Sequence, residues 1–182
     1  IKQLTLTKNT QPALMATSMA VLAALNANGF DIKKVSYVLG HSLGEYSALA
    51  AVGCLSLEDT ARLLRIRGTA MQEATAVGYG AMAAILGLDY KQVSNLVFEV
   101  SKEGLCEVAN DNDPSQVVIS GKKNMVDAVI KSTIQAGAKK AILLPVSAPF
   151  HCQLMSPAAE KMEEALNETK ILKPSVPLVS NI

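Results

Sequence analysis

Cysteine is scarce in this chain. It occurs three times, at Cys54, Cys106 and Cys152. The number is odd, and the spacing matches no disulfide framework or metal knuckle. That argues for a reducing compartment and against a disulfide-stapled secreted fold. Neither sign of charge dominates. The net charge is +1, which excludes a broad electrostatic attraction to nucleic acid or anionic membrane and leaves only local patches for an anionic partner. No apolar run reaches the length of a membrane span. HExxH, paired CxxC, Walker A and dinucleotide glycine motifs are all missing, and Gly78-x-Gly80 reads as a hinge or turn. No metal and no nicotinamide cofactor is expected. Residues 1–5 show neither an initiator Met nor a signal-peptide layout. Residues 176–182 read as a strand entering something further, so a fragment of a longer chain is expected.

What is present is a globular composition: 182 residues, 49% hydrophobic and 18% charged. That suffices for one core, or for one core with an inserted subdomain. The organising stretch is Gly40-His41-Ser42-Leu43-Gly44. An apolar run, residues 35–39, precedes it, and a helix-compatible run, residues 45–51, follows. Strand, tight turn and helix with a serine at the turn is the context of a nucleophile elbow. A Cβ at either glycine is expected to crowd the turn. Ser42 would then project at a helix N-terminus, where free N–H groups can hold an oxyanion.

The flanking chain reads as α/β. Thr10-Gln11-Pro12 opens a helix over 13–26, with Thr10 as cap. It carries so little charge that cover on more than one side is expected. Ser56 caps a helix reaching about residue 73. Its inward stripe is Leu57, Thr60, Leu64, Arg67 and Met71, and Arg62 suits a surface pair with Glu58. Residues 78–146 follow a β-α-β-β-α-β order, the split βαβ signature. Residues 110–114 read as a turn, and Gly121 as another. The expected architecture is therefore an α/β parallel-sheet, hydrolase-like main domain, residues 1–77 and 147–182. Inserted into it is a small ferredoxin-like subdomain, residues 78–146. A helix over 155–167 and extended chain over 172–182 close the sequence.

Two histidines are available to a serine nucleophile. His41 sits beside Ser42 and reads as structural, because an elbow turns its neighbour's ring away. His151 returns from the insert into the main domain and is the candidate general base. A third, acidic member would come from Asp89, Asp111, Asp113 or Asp127. All four fall in the insert, so a Ser-His pair without a carboxylate is equally consistent. Arg67 lies on an apolar helix face. It serves either as a structural ion-pair partner or as an anion-binding arginine, and periodicity alone leaves both readings open. Cys106 reads as a buried strand residue, and Cys152 adjoins His151 without an argument for reactivity.

With these residues in place, the chain resembles the malonyl-CoA:acyl carrier protein transacylase family along essentially its whole length. The blocks that carry the likeness are Thr10-Gln11-Pro12-Ala13, Gly40 to Tyr46, Arg65-Ile66-Arg67-Gly68-Thr69-Ala70-Met71-Gln72, Gly80 to Ala84, Asn110 to Gly121, and Pro149-Phe150-His151-Cys152-Gln153-Leu154-Met155. The resemblance implies a two-step acyl transfer through a malonyl-serine at Ser42, with His151 as base and the Leu43 N–H as one oxyanion donor. It implies Arg67 on the malonyl carboxylate, a bidentate geometry that lysine does not reproduce. It implies malonyl-CoA as substrate, acyl carrier protein as partner, no cofactor, a monomer, and a cytoplasmic or organellar-matrix setting. Lys122, Lys123, Lys139 and Lys140 would form a docking patch for an acidic carrier protein, or serve as ordinary surface lysines. The family's glycine-rich loop and final segment would lie outside residues 1–182. A serine hydrolase or thioesterase, and a non-catalytic carrier-binding module, are the competing readings.

Overall fold

A computed structural model describes residues 3–146 and 148–181. Expectations resting on Ile1, Lys2, Ser147 or Ile182 lie outside the described residues. The chain divides into two compact units, residues 1–70 with 160–182, and residues 71–159.

The first unit begins with α1 (Thr7–Ala27), continues through β1 (Val38–Leu39) and α2 (Gly44–Ala51), and enters α3 (Leu57–Glu73). The second unit holds β2 (Gly80–Leu86), α4 (Tyr90–Val100), β3 (Cys106–Asp113), β4 (Gln116–Lys122), α5 (Lys123–Gln135) and β5 (Lys140–Leu143). The chain then returns to the first unit within α6 (Ser156–Asn167) and forms β6 (Leu178–Val179) there. The mixed α/β class is as expected, with a parallel pair in one unit and the split βαβ arrangement in the other.

In the first unit β1 pairs in parallel with β6, Val38 opposite Leu178 and Leu39 opposite Val179. Val38, Ala48, Val52, Cys54 and Val176 form the core around this pair. The strand is shorter than the apolar run 35–39 suggested: a 3-10 helix capped by Asp31 occupies Ile32–Lys34, and parallel pairing begins only at Val38. A second cluster, Leu55, Leu63, Met162 and Ala165, packs α3 on α6. Within α3, Thr60, Leu64 and Met71 are buried as the stripe required, whereas Leu57 is 56% exposed. Leu57 is the first residue of the helix, where no preceding turn covers it. Ser56 does cap α3, accepting from the Asp59 N–H at 2.9 Å. Arg62 pairs with Asp59 at 3.1 Å rather than with Glu58.

Helix α1 departs from expectation twice. It starts at Thr7, three residues before Thr10, and the Thr10 hydroxyl bonds back to the Leu6 carbonyl at 3.1 Å instead of capping. Only Gln11 and Met15 are buried along it, while Leu14, Val21 and Leu25 are exposed. Its apolar residues surround the axis, and the described residues cover one side only. Its first turns are nonetheless tightly held. Pro12 has no N–H to give the Lys8 carbonyl, and that carbonyl instead accepts from Arg65 Nη1 of α3 at 3.0 Å. At Gly68 of α3 a Cβ would lie 2.6 Å from Lys8 Cα and 2.7 Å from the Thr7 carbonyl oxygen. The two backbones cross in contact because Gly68 has no side chain.

The second unit is a four-stranded antiparallel sheet in the order β3-β4-β2-β5. The alternation of strand residues divides its apolar content between two faces. Ala83 and Ile85 of β2, with Val117 and Ile119 of β4, pack against Val93, Val97, Val126 and Val129 of α4 and α5. Met82, Ala84 and Val118 face the other way, against Leu144 and Phe150. Residues 110–113 are strand rather than turn. They continue β3 through two irregularities in register, and the reversal is confined to Pro114-Ser115. Gly121 is likewise in β4, where a Cβ would meet the Leu105 carbonyl oxygen at 2.4 Å. Its role is close strand packing.

Gly68→Ala sets two effects against each other. Alanine is the better helix former by about 1 kcal/mol, but the forced overlap with α1 costs roughly 1–3 kcal/mol. Net destabilisation is expected in urea unfolding, with faster proteolysis in residues 7–27. A stabilised variant would show that the crossing yields.

Candidate active site

Ser42 ends the short link after β1, and its backbone is left-handed at φ 53°. A non-glycine residue holds that conformation at a cost of about 1–2 kcal/mol, so neighbouring groups must hold it there. The Gly44 N–H donates to the His41 carbonyl at 2.9 Å, and the Glu45 N–H to the Ser42 carbonyl at 3.2 Å. A Cβ at Gly40 would sit 2.0 Å from the Gly44 carbonyl oxygen, whereas one at Gly44 would meet nothing within 4 Å. Only the first glycine is required by close approach; the crowding expected at Gly44 is absent.

Two groups converge on the turn from distant parts of the first unit. Arg67 of α3 donates from Nη2 to Ser42 Oγ at 3.0 Å and from Nη1 to Gln11 Oε1 at 2.6 Å. Gln11, 3% exposed, in turn donates from Nε2 to Thr7 Oγ1 at 2.9 Å. The guanidinium also lies over the Tyr46 ring, 5.7 Å from its centroid. Burial lowers the Arg67 pKa from its ordinary value, while Tyr46 and Glu45 oppose that shift. Burial likewise raises the Tyr46 pKa, with Arg67 acting against it. From the other side, Asn181 follows β6. Its Oδ1 accepts from the Ser42 N–H at 2.7 Å, and its Nδ2 donates to the Gly40 carbonyl at 2.6 Å. The Glu45 carboxylate accepts from the Asn181 N–H at 3.1 Å and from the Ser180 hydroxyl at 3.2 Å.

Ser42, Leu43 and Arg67 thus come together in one unit. His151 belongs to the other, where it is exposed and its backbone is also left-handed, at φ 57°. His41 is exposed on the turn. Sequence reasoning did not single out Gln11, Glu45, Tyr46 or Asn181 for roles at the site. An amide on a nearly uncharged helix was the available signal for Gln11. Asn181 had none, because only the β1–β6 register places it.

The acidic candidates have local duties. Asp89 forms a capping box with Gln92 at the start of α4. Asp113 accepts from the Ser115 N–H and hydroxyl at 2.9 and 2.8 Å, which hold its carboxyl below its usual range. Asp127 pairs with Lys123 at 3.1 Å. Burial pushes the Cys106 thiol up to about 12 and raises that of Cys152. Both are buried and free, the opposite of an activated thiolate. Of the four lysines, Lys123 is engaged with Asp127, and Lys122 lies over the Tyr79 ring at 6.0 Å. Among the described residues no helix is long and apolar enough to cross a membrane. No group of three or more His, Cys, Asp or Glu among them converges as a metal site.

Residues 2–182 match the family model described as the acyl transferase domain. The chain belongs to that family. It is 47% identical over 182 residues to the malonyl CoA-acyl carrier protein transacylase of Bacillus subtilis, covering 100% of this chain and 56% of that protein. It is 42% identical over 181 residues to the enzyme of the same name from Escherichia coli K12, covering 100% of this chain and 58% of that one. Among solved structures, the acyl-carrier-protein-S-malonyltransferase from Bartonella henselae superposes with a TM-score of 0.95 at 56% identity, over 99% of this chain and 58% of that one. A malonyl-transacylase solved with its type II polyketide acyl-carrier protein superposes at 0.96 and 40% identity, over 100% of this chain and 58% of its own. The chain therefore spans a little over half the length of these relatives.

The two turn glycines should respond differently to the same change. Gly40→Ala is expected to cost about 3 kcal/mol or more, because its clash is with backbone that cannot swing aside. Gly44→Ala should stay within about 1 kcal/mol of the wild type, since alanine favours the helix it opens. Chemical denaturation of both variants checks this; equal losses would contradict the steric assignment.

Proposed function

We propose that the protein containing this chain moves a malonyl group from coenzyme A to the phosphopantetheine thiol of an acyl carrier protein. The observation that carries the reading is the Arg67 guanidinium at 3.0 Å from Ser42 Oγ. A hydrolase acting on neutral acyl groups has no use for a half-buried cation one hydrogen bond from its nucleophile. An acyl group that ends in a carboxylate does. In malonyl only a methylene separates that carboxylate from the thioester carbonyl. With Oγ bonded to the carbonyl carbon, the carboxylate falls within the short reach the arginine commands, and its two oxygens match the guanidinium fork. The Gln11 bond fixes the plane of that fork in advance, which limits what binding must immobilise.

In this reading Ser42 Oγ attacks the thioester carbonyl and its proton passes to His151. The tetrahedral oxyanion takes a hydrogen bond from the Leu43 N–H. That group precedes α2 and lies where helix N-termini favour negative charge. The C–S bond breaks, coenzyme A leaves with the proton from His151, and malonyl-Ser42 remains. The carrier thiol then gives its proton to His151 and attacks the ester, and Ser42 leaves reprotonated. His151 suits the part because its ordinary pKa lies near neutrality. No acid needs to complete a triad, and three of the four candidates have structural partners of their own.

The carrier-protein partner is supported by the relative solved in complex with one. We assign the catalytic part to residues 1–77 with 147–182 and the smaller part to 78–146, a stretch that contains β2 to β5. A monomer working in the cytoplasm or an organellar matrix is the simplest setting, and the free buried cysteines fit a reducing compartment.

Intact mass after brief exposure to malonyl-CoA tests the proposal, on this chain and on a version extended to the length of its relatives. A malonyl adduct absent from Ser42→Ala is expected. Arg67→Ala should slow malonyl loading roughly 30-fold or more, since removing one partner of a buried charge contact costs about 2 kcal/mol or more, and should allow acetyl to load instead. Added carrier protein should discharge the adduct faster than water does. Loss to water alone would indicate a hydrolase, and no adduct on the extended protein would reject the transfer.

A further inference from the structure

The Asn181 side chain reaches the nucleophile turn from the far end of the described chain and bonds both of its sides. We infer that Asn181 is a positioning residue for Ser42: it holds the serine in its left-handed conformation and occupies the serine's own N–H. This rests on the acyl-serine reading for its kinetic consequence and on the hydrogen bonds alone for its structural one.

The parallel pairing comes first. With Val38 opposite Leu178 and Leu39 opposite Val179, each chain continues past the sheet beside the other. Gly40 to Ser42 then run alongside Ser180 and Asn181. An amide at that register meets two needs, because it offers one acceptor and a donor pair from a single rigid plane. Oδ1 takes the Ser42 N–H at 2.7 Å and Nδ2 gives to the Gly40 carbonyl at 2.6 Å. The bonded backbone groups flank His41 and lie on either side of the point where φ changes sign. Aspartate keeps the acceptor and loses the donor. Leucine or alanine loses both.

Asn181 is itself held. Its N–H donates to Glu45 Oε2 at 3.1 Å, and the Ser180 hydroxyl donates to Glu45 Oε1 at 3.2 Å. Glu45 lies in the first turn of α2, three residues after the serine. The clasp is therefore reciprocal: the helix that follows Ser42 grips the segment whose amide grips Ser42. These bonds are near the surface, where a single contact is weak. Several on one short segment share the entropy of ordering it.

There is a chemical consequence. With the Ser42 N–H already given to Asn181, it is not offered to an acyl oxyanion. The Leu43 N–H, next along the chain, is the donor the turn presents from this side. If the clasp opens, φ at Ser42 can relax, and both Oγ and the Leu43 N–H leave their places relative to Arg67. A shift of about an ångström at a reacting group costs up to about 100-fold in rate. The carboxylate clamp on Arg67 does not pass through Asn181, so ground-state binding should be spared.

The test uses the full-length protein that carries this chain, as wild type, Asn181→Ala and Asn181→Asp. Malonyl loading is followed by rapid-quench mass spectrometry over a range of malonyl-CoA concentrations, and hydrogen exchange of the Ser42 amide is measured alongside. For Asn181→Ala the maximal loading rate should fall ~10- to 100-fold, with half-saturation within about 3-fold of wild type and Ser42 exchange accelerated. Asn181→Asp should preserve the Ser42 amide protection better than Asn181→Ala does, because Oδ1 remains. Unchanged loading, or a loss that lies wholly in half-saturation, overturns the positioning role. If the wild type forms no adduct, the transfer reading fails but the exchange measurement still decides this one: unchanged Ser42 exchange in Asn181→Ala overturns it, and faster exchange sustains it.

Discussion

A serine at φ 53° directly after a parallel strand is the constraint on which the first unit depends. The conformation is unfavourable for a residue with a side chain, and its neighbours can be understood as what makes it tolerable. Gly40 lets the incoming backbone pass against the Gly44 carbonyl. Helix α2 begins at once and takes up the carbonyls of His41, Ser42 and Leu43 as acceptors. The chain beyond β6 supplies an amide that spans the turn. The result is a hydroxyl raised beside a helix N-terminus, with local strain offset by contacts drawn from positions well over a hundred residues away.

Arg67 depends on a second constraint, the crossing of α1 and α3. A guanidinium half-withdrawn from water needs hydrogen bonds to remain a cation at low cost. Gln11 provides one only if the first turns of α1 lie directly on α3. Gly68 permits that contact. The carbonyl freed by Pro12 accepts Arg65 and so adds a polar tie beside the glycine crossing. Arg65, Arg67 and Gly68 therefore act as one block, two arginines flanking a point of backbone contact. Features that look like helix-breaking liabilities, a proline within one helix and a glycine within the other, are what bring the buried amide to the arginine.

Local pattern carried the elements and the serine turn; tertiary register carried much of what surrounds them. The elbow was legible because strand, glycine, serine and helix follow one another without interruption, and the six-element unit because each of its helices and strands keeps its own period. The reading of residues 110–113 as turn failed on composition. Asn and Asp favour turns, but here they extend β3 through irregular pairings beside a well-paired β4. Gly121 misled for the same reason, since a glycine in a strand can mark a close approach as readily as a reversal. The apolar surface of α1 gave a sound helix and a forecast of burial that the described residues meet on one side only, because hydrophobicity states what can be covered and not what covers it. Arg67 could be placed on an apolar face but not given a partner. Its partner, Gln11, lies 56 residues away across a helix crossing.

The two polar contacts at Ser42 also separate two requirements that one residue could not meet. In the proposed transfer Arg67 exchanges its bond to Oγ for a substrate carboxylate, so on that reading it cannot be what holds the backbone in place. Asn181 bonds only to backbone at the turn, so nothing it does would change in an acylated Ser42. Placing the fixed contact on one element and the exchangeable contact on another lets the nucleophile stay in position while its electrostatic partner changes. This arrangement explains why the turn draws on both β6 and α3. An arginine asked to do both would lose its hold on the serine at the step when the proposed acyl transfer requires the serine to stay in place.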